Sequence, residues 1–222
     1  MLKIEKTVMP SPEQWEIIIE GMRNPMNSWD KSDSYKTHVC NTETMQEADF
    51  EFFVGEADHN LMMSLAKGGS VHAKYRRMIP VFLTINAPLY WWKEMDRYQV
   101  GVVMNSCSTM HKIHAKEFTM DDFSCEHLEH WCLNIMEKIV NTLNFHREKF
   151  LETKDKNQWW QMIQTLPTSY NQKRTVMLNY EVLVNIYHSR KNHKLDEWAE
   201  FCKWIETLPY AKGLIYDVGK GV

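Results

Sequence analysis

From Leu178 to Arg190 the chain reads LNYEVLVNIYHSR, and this stretch places an asparagine and an arginine on the apolar side of a helix. Leu183, Ile186 and Tyr187 recur at the i, i+3, i+4 spacing of one helix face. Asn179 and Arg190 are eleven residues apart, which is about three turns plus about 20° at 3.6 residues per turn. Both therefore fall on the face expected to be buried. An unpaired buried polar group costs roughly 1–3 kcal/mol and a buried cation more, so each needs a partner. Two readings meet that need. In one, Asn179 caps the helix start and Arg190 pairs with a protein carboxylate. In the other, an anionic, hydrogen-bonding ligand lies against this face, since no acid stands on it within one turn of Arg190.

Composition narrows the function classes. The 222 residues predict one domain, 1–222, with enough chain for a real core. Net charge is −3, from 26 basic and 29 acidic residues, which gives no electrostatic case for nucleic acid or an anionic membrane. No apolar run approaches the roughly 18 residues of a spanning helix, and MLKIEKTVMPSPEQ carries no signal-peptide hydrophobic block. Cys40, Cys107, Cys125, Cys132 and Cys202 are scattered and lack CxxC spacing, as expected of free thiols in a reducing cytoplasm. Nine Trp and fifteen Met are many for this length and suit subunit contacts or ligand pockets.

Local signals predict an α+β, helix-rich chain. Lys3–Met9 alternates as a strand, and Ser11-Pro12 opens a helix to about Arg23. Residues 24–47 read as polar surface loop. A helix follows over Asp58–Ala66, closed by Gly68-Gly69; a strand over Met78–Ile85; and a helix from Pro88 to about Tyr98. Phe123–Phe150 has the longest helical pattern. Trp159–Thr165, Asn179–Ser189 and Leu195–Thr207 give three more helices, and Asp217–Val222 is expected to fray.

Other candidate sites are weaker. Were the helix to begin at Phe123, Cys125, Glu129 and Cys132 would share a face, but no second cluster completes a zinc set, so no metal site is expected. Cys107, flanked by serines and near His111 and His114, lacks any feature that would lower its pKa. There is no GxGxxG and no Walker loop. His72, just after a glycine pair, reads as a surface residue when taken alone, and Lys74, Arg76 and Arg77 as a solvated basic run.

Taken together, these segments resemble the flavin-dependent thymidylate synthases. The resemblance covers roughly His72–His111 and Leu166–Phe201, about a third of the chain. Leu166-Pro167 is followed by Asn179 twelve residues after the proline, Asn185 six later and Arg190 five beyond, the family's spacing without a gap. By resemblance, Asn179 and Asn185 contact the flavin and Arg190 binds the nucleotide substrate, dUMP. Asn185 points about 120° from Asn179, so it would reach the ligand from a flank or from another subunit. Aligned on Ala87-Pro88, a family histidine at the flavin falls on His72. The first arginine of Arg-His-Arg-x-x-Ser-x-Asn-Glu-x-Ser-x-Arg falls on Arg97.

Beyond Arg97 the pattern departs. Tyr98 and Gln99 stand in place of His-Arg; with no gap Cys107 and Thr109 occupy the final Ser and Arg positions, while one inserted residue recovers Asn105 and Ser108 as substrate-binding positions but leaves Met110 for the last arginine. Lys93, Arg97, Lys112 and Arg174 are the local candidates to compensate for the lost guanidinium groups. The resemblance implies a homotetramer with sites at subunit interfaces and FAD-dependent reductive methylation of dUMP to dTMP. NADPH is the implied reductant and methylenetetrahydrofolate the carbon donor, with no cysteine nucleophile and no catalytic residue assigned. Two alternatives stay open: a diverged flavin- or pyrimidine-nucleotide-binding homologue with another substrate, and a non-catalytic oligomeric protein.

Overall fold

Ser11 starts the first helix as its chemistry dictates. Its hydroxyl accepts from the Gln14 N–H at 3.3 Å, while the Gln14 side chain accepts from the Ser11 N–H at 2.8 Å. In this computed structural model, which describes residues 1–39 and 49–218, the strand β1 (Lys3–Val8) precedes that helix, α1 (Pro12–Arg23). There follow β2 (Tyr35–Val39), β3 (Asp49–Phe53), α2 (Glu56–Lys67), β4 (Pro80–Pro88), α3 (Leu89–Met95), β5 (Val103–Ser106) and α4 (Thr109–Lys112). The chain then forms α5 (His130–Thr153), α6 (Lys156–Thr165), β6 (Asn171–Asn179), α7 (Tyr180–Arg190) and α8 (Asp196–Glu206). One sheet has the order β1-β4-β6-β5, and β2 and β3 form an antiparallel pair. The architecture is α+β and helix-rich, as the sequence predicts. Among the described residues no helix is long and apolar enough to cross a membrane.

The chain divides into two compact units, each built from separate segments. The first comprises Met1–Lys6, Leu83–Arg97 and Met104–Val176. In it α5 and α6 pack together around Ile113, Phe118, Phe123, Met136, Val140, Leu143 and Met162. The second comprises Thr7–Phe82, Tyr98–Val103 and Met177–Val222. There α7 packs against α8, a 3-10 turn over Lys74–Met78 and a π-turn over Lys212–Tyr216. Arg76, 1 % exposed, joins these pieces: two of its nitrogens reach the Glu181 carboxylate at 2.7 Å and a third donates to the Leu214 carbonyl. A basic run that sequence reads as solvated thus has its middle arginine buried in an ion pair.

A second buried pair orders the polar segment after α1. The Asp58 carboxylate accepts from Arg23 Nε at 2.5 Å, from the Ser32 and Ser34 hydroxyls, and from the Asp33 and Ser34 N–H groups. Arg23 in turn donates to the Ser28 and Lys31 carbonyls. Residues 24–34 are therefore fixed by charge-assisted bonds that a polar composition conceals, and β2 follows where a loop was expected. Cross-strand aromatic contacts, Tyr35 on Phe53 and His38 on Phe50, hold β2 to β3. Cys40 and residues 41–47 of the expected loop lie outside the described residues.

Three other expectations change. The long helix starts at His130, not Phe123, because Phe123 bridges to Tyr170 and Ser124 N–H bonds the Ser169 carbonyl. Cys125 and Glu129 thus precede the helix and do not share a helix face with Cys132. The helix after Pro88 ends at Met95. Val218, expected to fray, is 2 % exposed, and residues 219–222 lie outside the described residues.

Burial pushes the Asp58 carboxyl up, but hydrogen bonds from Ser34, Ser32 and Arg23 outweigh it and hold the group below its ordinary value of 3.8. A carboxylate whose pKa is depressed in the folded state contributes stability above its unfolded pKa and loses it as pH falls. Unfolding midpoints in denaturant should therefore drop between neutral pH and about pH 3, and the drop should shrink in Asp58→Asn. Asp58→Ala should cost about 3–5 kcal/mol, because it leaves Arg23 buried without its carboxylate.

Candidate functional site

The junction of β6 and α7 puts Asn179 where sequence places it, at the start of the helix. Its Oδ1 accepts from the Val182 N–H at 3.0 Å, and its Nδ2 donates to the Gly101 carbonyl at 3.2 Å. Asn179 is 5 % exposed. The capping reading of this residue holds, with the added grip on Gly101. An amide carries two donor hydrogens and two acceptor lone pairs, so one of each is used. Gly101 has φ +69°, and a Cβ there would lie 2.5 Å from Asn179 Nδ2. Only glycine fits that approach.

Arg190 closes the other end of α7. Its Nε donates to the Tyr98 hydroxyl at 2.9 Å, and its guanidinium carbon lies 4.7 Å from the Trp198 ring centroid and 5.7 Å from that of Tyr98. Trp198 is fully buried, and Arg190 is half-buried. Sequence reasoning set a protein carboxylate against an external anion as partner. The structure adds a phenol from Tyr98, 92 positions away along the chain, and the indole face of Trp198 on the following helix, α8. The segment from Tyr98 to Gly101 is thereby pinned to α7 at both ends, to Arg190 and to Asn179.

Asn185 lies on the exposed side of α7, as the helix arithmetic predicts. His72 is exposed after α2, in a turn where its N–H bonds the Gly69 carbonyl and Gly69 takes φ +87°. These four residues, Asn179, Asn185, Arg190 and His72, belong to the second unit.

The first unit carries the rest of the expected set. Arg97 is exposed just beyond α3, Asn105 is exposed on β5, and Ser108 caps α4 by accepting from the His111 N–H at 3.2 Å. Gln172 steadies that loop, donating to the Thr109 hydroxyl at 2.7 Å and to the Cys107 carbonyl at 3.3 Å. Lys93 and Lys112 are exposed. Arg174 is not: it lies 4.4 Å over the Trp92 ring, pairs with Asp96 at 2.6 Å and bonds Gln172. As a compensating cation it is already committed inside the protein. Gln172 and Tyr98 are the functional candidates that sequence reasoning missed: Gln172 lies between Asn171 and Lys173 with no local signal, and Tyr98 is marked only by standing directly after Arg97.

Two of the described cysteines are held as thiols by their surroundings. Burial, with Glu206 nearby, pushes the Cys202 thiol up to about 11 against the opposing pull of Arg190, so it stays protonated at neutral pH. Burial, with Glu126, likewise raises Cys125. Cys107 is an exposed free thiol.

The chain is similar to thymidylate synthase X (ThyX) from Helicobacter pylori, crystallised with FAD and dUMP, at a TM-score of 0.67 and 15% identity over 98% of each chain. A second Helicobacter pylori ThyX structure, also complexed with FAD and dUMP, gives 0.62 and 15% over 99% of each. The fold is that of a flavin-dependent thymidylate synthase. No family model and no curated protein matches the sequence.

The Asn179 clamp gives a stability prediction independent of any ligand. Asn179→Ala should cost about 1–3 kcal/mol in chemical denaturation, from the lost cap and the unpaired Gly101 carbonyl. Gly101→Ala should cost at least about 1 kcal/mol, because it forces a side chain into a positive-φ position against the Asn179 amide. The double variant should lose less than the sum of the two, since both damage one contact.

Proposed function

We propose that this protein uses FAD to methylate dUMP reductively to dTMP. The observation that carries the reading is the full-length likeness to a ThyX crystallised with FAD and dUMP. It coincides with the unbroken Asn179, Asn185, Arg190 spacing on a single helix. This reading takes residues 1–222 as one domain.

The donor set fits a flavin dinucleotide. Asn185, His72 and Arg97 are exposed, so an amide, an imidazole and a guanidinium face outward rather than into the core. A diphosphate demands cationic donors, and a flavin ring demands amide-type hydrogen bonds. In this reading Asn179, Asn185, His72 and Arg97 hold FAD, while Asn105, Ser108 and Arg190 hold the nucleotide. When bound, the flavin supplies the hydride, with NADPH as its reductant and methylenetetrahydrofolate as the carbon source. The protein's residues bind and orient, and their contribution is positional and electrostatic.

A second reading, a homologue acting on another pyrimidine nucleotide, is favoured by Tyr98, Gln99 and Met110. At these positions the family resemblance calls for His, Arg and Arg, and Arg174 is tied to Asp96.

Four measurements test the proposal. Purified protein should be yellow or turn yellow with added FAD. Asn185→Ala should weaken flavin retention through gel filtration while moving stability by no more than about 0.5 kcal/mol, because the residue is exposed. Colourless wild-type protein that stays colourless with FAD sinks the flavin reading. Calorimetric titration of the flavin-loaded protein with dUMP should give heat, and Arg190→Ala should abolish most of it; binding of another pyrimidine nucleotide in place of dUMP would select the second reading. Light scattering should report about four 26.5 kDa chains, and a clean monomer at micromolar concentration would contradict sites shared between subunits.

A further inference from the structure

Arg190 is the last residue of α7, at a helix end where side chains have wide rotamer freedom. Two features remove that freedom. The Tyr98 hydroxyl accepts from Nε at 2.9 Å, and the guanidinium lies over Trp198, its carbon 4.7 Å from the ring centroid. Attraction between a cation and an aromatic face is effective within about 6 Å. The indole cannot yield, since Trp198 is fully buried and meets Tyr98, His193 and Phe201 edge-on at 6.0–6.3 Å. Tyr98 itself is tethered, because three residues later the Gly101 carbonyl is held by Asn179.

We propose that Tyr98 is a positioning residue for anion binding by Arg190, the Tyr98 phenol and the Trp198 ring together fixing the guanidinium plane. The inference rests on the reading of Arg190 as a nucleotide-binding residue. An arginine held in place before its ligand arrives pays less ordering entropy on binding than a mobile one. The phenol is suited to this because it accepts with a lone pair and keeps its own O–H as a donor. It stands in the chain directly after Arg97, where the family resemblance calls for an imidazole. A neutral imidazole nitrogen would accept the same Nε–H, whereas a protonated one would not.

That difference supplies the test. dUMP is titrated into flavin-loaded wild type, Tyr98→Phe and Tyr98→His at pH 8 and pH 5.5, and each affinity is divided by the wild-type value at the same pH to cancel the phosphate's own titration. Tyr98→Phe should bind about tenfold more weakly at both pH values, the loss expected when a charge-assisted hydrogen bond is removed. Tyr98→His should bind within about threefold of wild type at pH 8. It should fall to the level of Tyr98→Phe or below at pH 5.5, since an imidazole titrates near pH 6.5. A packing role alone would produce no pH dependence specific to the histidine variant. Should Tyr98→Phe fail to fold, the comparison of Tyr98→His with itself across pH carries the test. Equal affinities for wild type and Tyr98→Phe, or a Tyr98→His ratio that does not change with pH, overturn this inference alone. Wild-type protein that gives no heat with dUMP overturns the functional reading on which it rests.

Discussion

The turn from β6 into α7 hangs on the Asn179 side chain. One oxygen satisfies a helix N–H that has no intrahelical partner, and one nitrogen satisfies the carbonyl of a glycine at a positive φ that side chains rarely adopt. The two bonds fix where α7 begins and where the Tyr98–Gly101 segment runs. They thereby fix which way Arg190 leaves the far end of the helix. Because the amide is buried, either bond left unmade carries its full desolvation cost. The course of the Tyr98–Gly101 segment thus depends on one asparagine that also caps α7.

Buried charge plays the corresponding part elsewhere in the second unit. Arg23 with Asp58, and Arg76 with Glu181, are each sealed from water and surrounded by additional hydrogen bonds. Such pairs add little net stability compared with apolar packing, but breaking one is costly, so their effect is to specify an arrangement. Here they specify how a polar loop follows α1 and how two turns dock on α7.

Aromatic rings carry the remaining positional work. Trp91, Trp92 and Trp198 are fully buried, and two of these serve as platforms for guanidinium groups, Trp92 under Arg174 and Trp198 under Arg190. The two arginines differ in what else holds them. Arg174 is neutralised by Asp96 and supports the Gln172 network behind Ser108. Arg190 donates at Nε to the Tyr98 hydroxyl, a contact that orients the group.

The sequence by itself determined the elements with strong local signatures. The Ser11-Pro12 cap, the apolar spacing of α7 and the Asn179, Asn185, Arg190 register all follow from short-range chemistry, and the structure keeps them. Only tertiary structure decided the rest. β6 is hidden because its buried Gln172 looks like a surface residue until its partners at Cys107 and Thr109 arrive from some sixty residues away. β2 needed β3 as its partner strand, and the start of α5 was set by the bridge from Phe123 to Tyr170. Arg190 is the sharpest case. Helix periodicity put it on the apolar side and demanded a partner, but Tyr98 lies 92 positions away along the chain. Local patterning can state that a buried cation must be satisfied; which groups satisfy it depends on which distant segments the fold brings alongside.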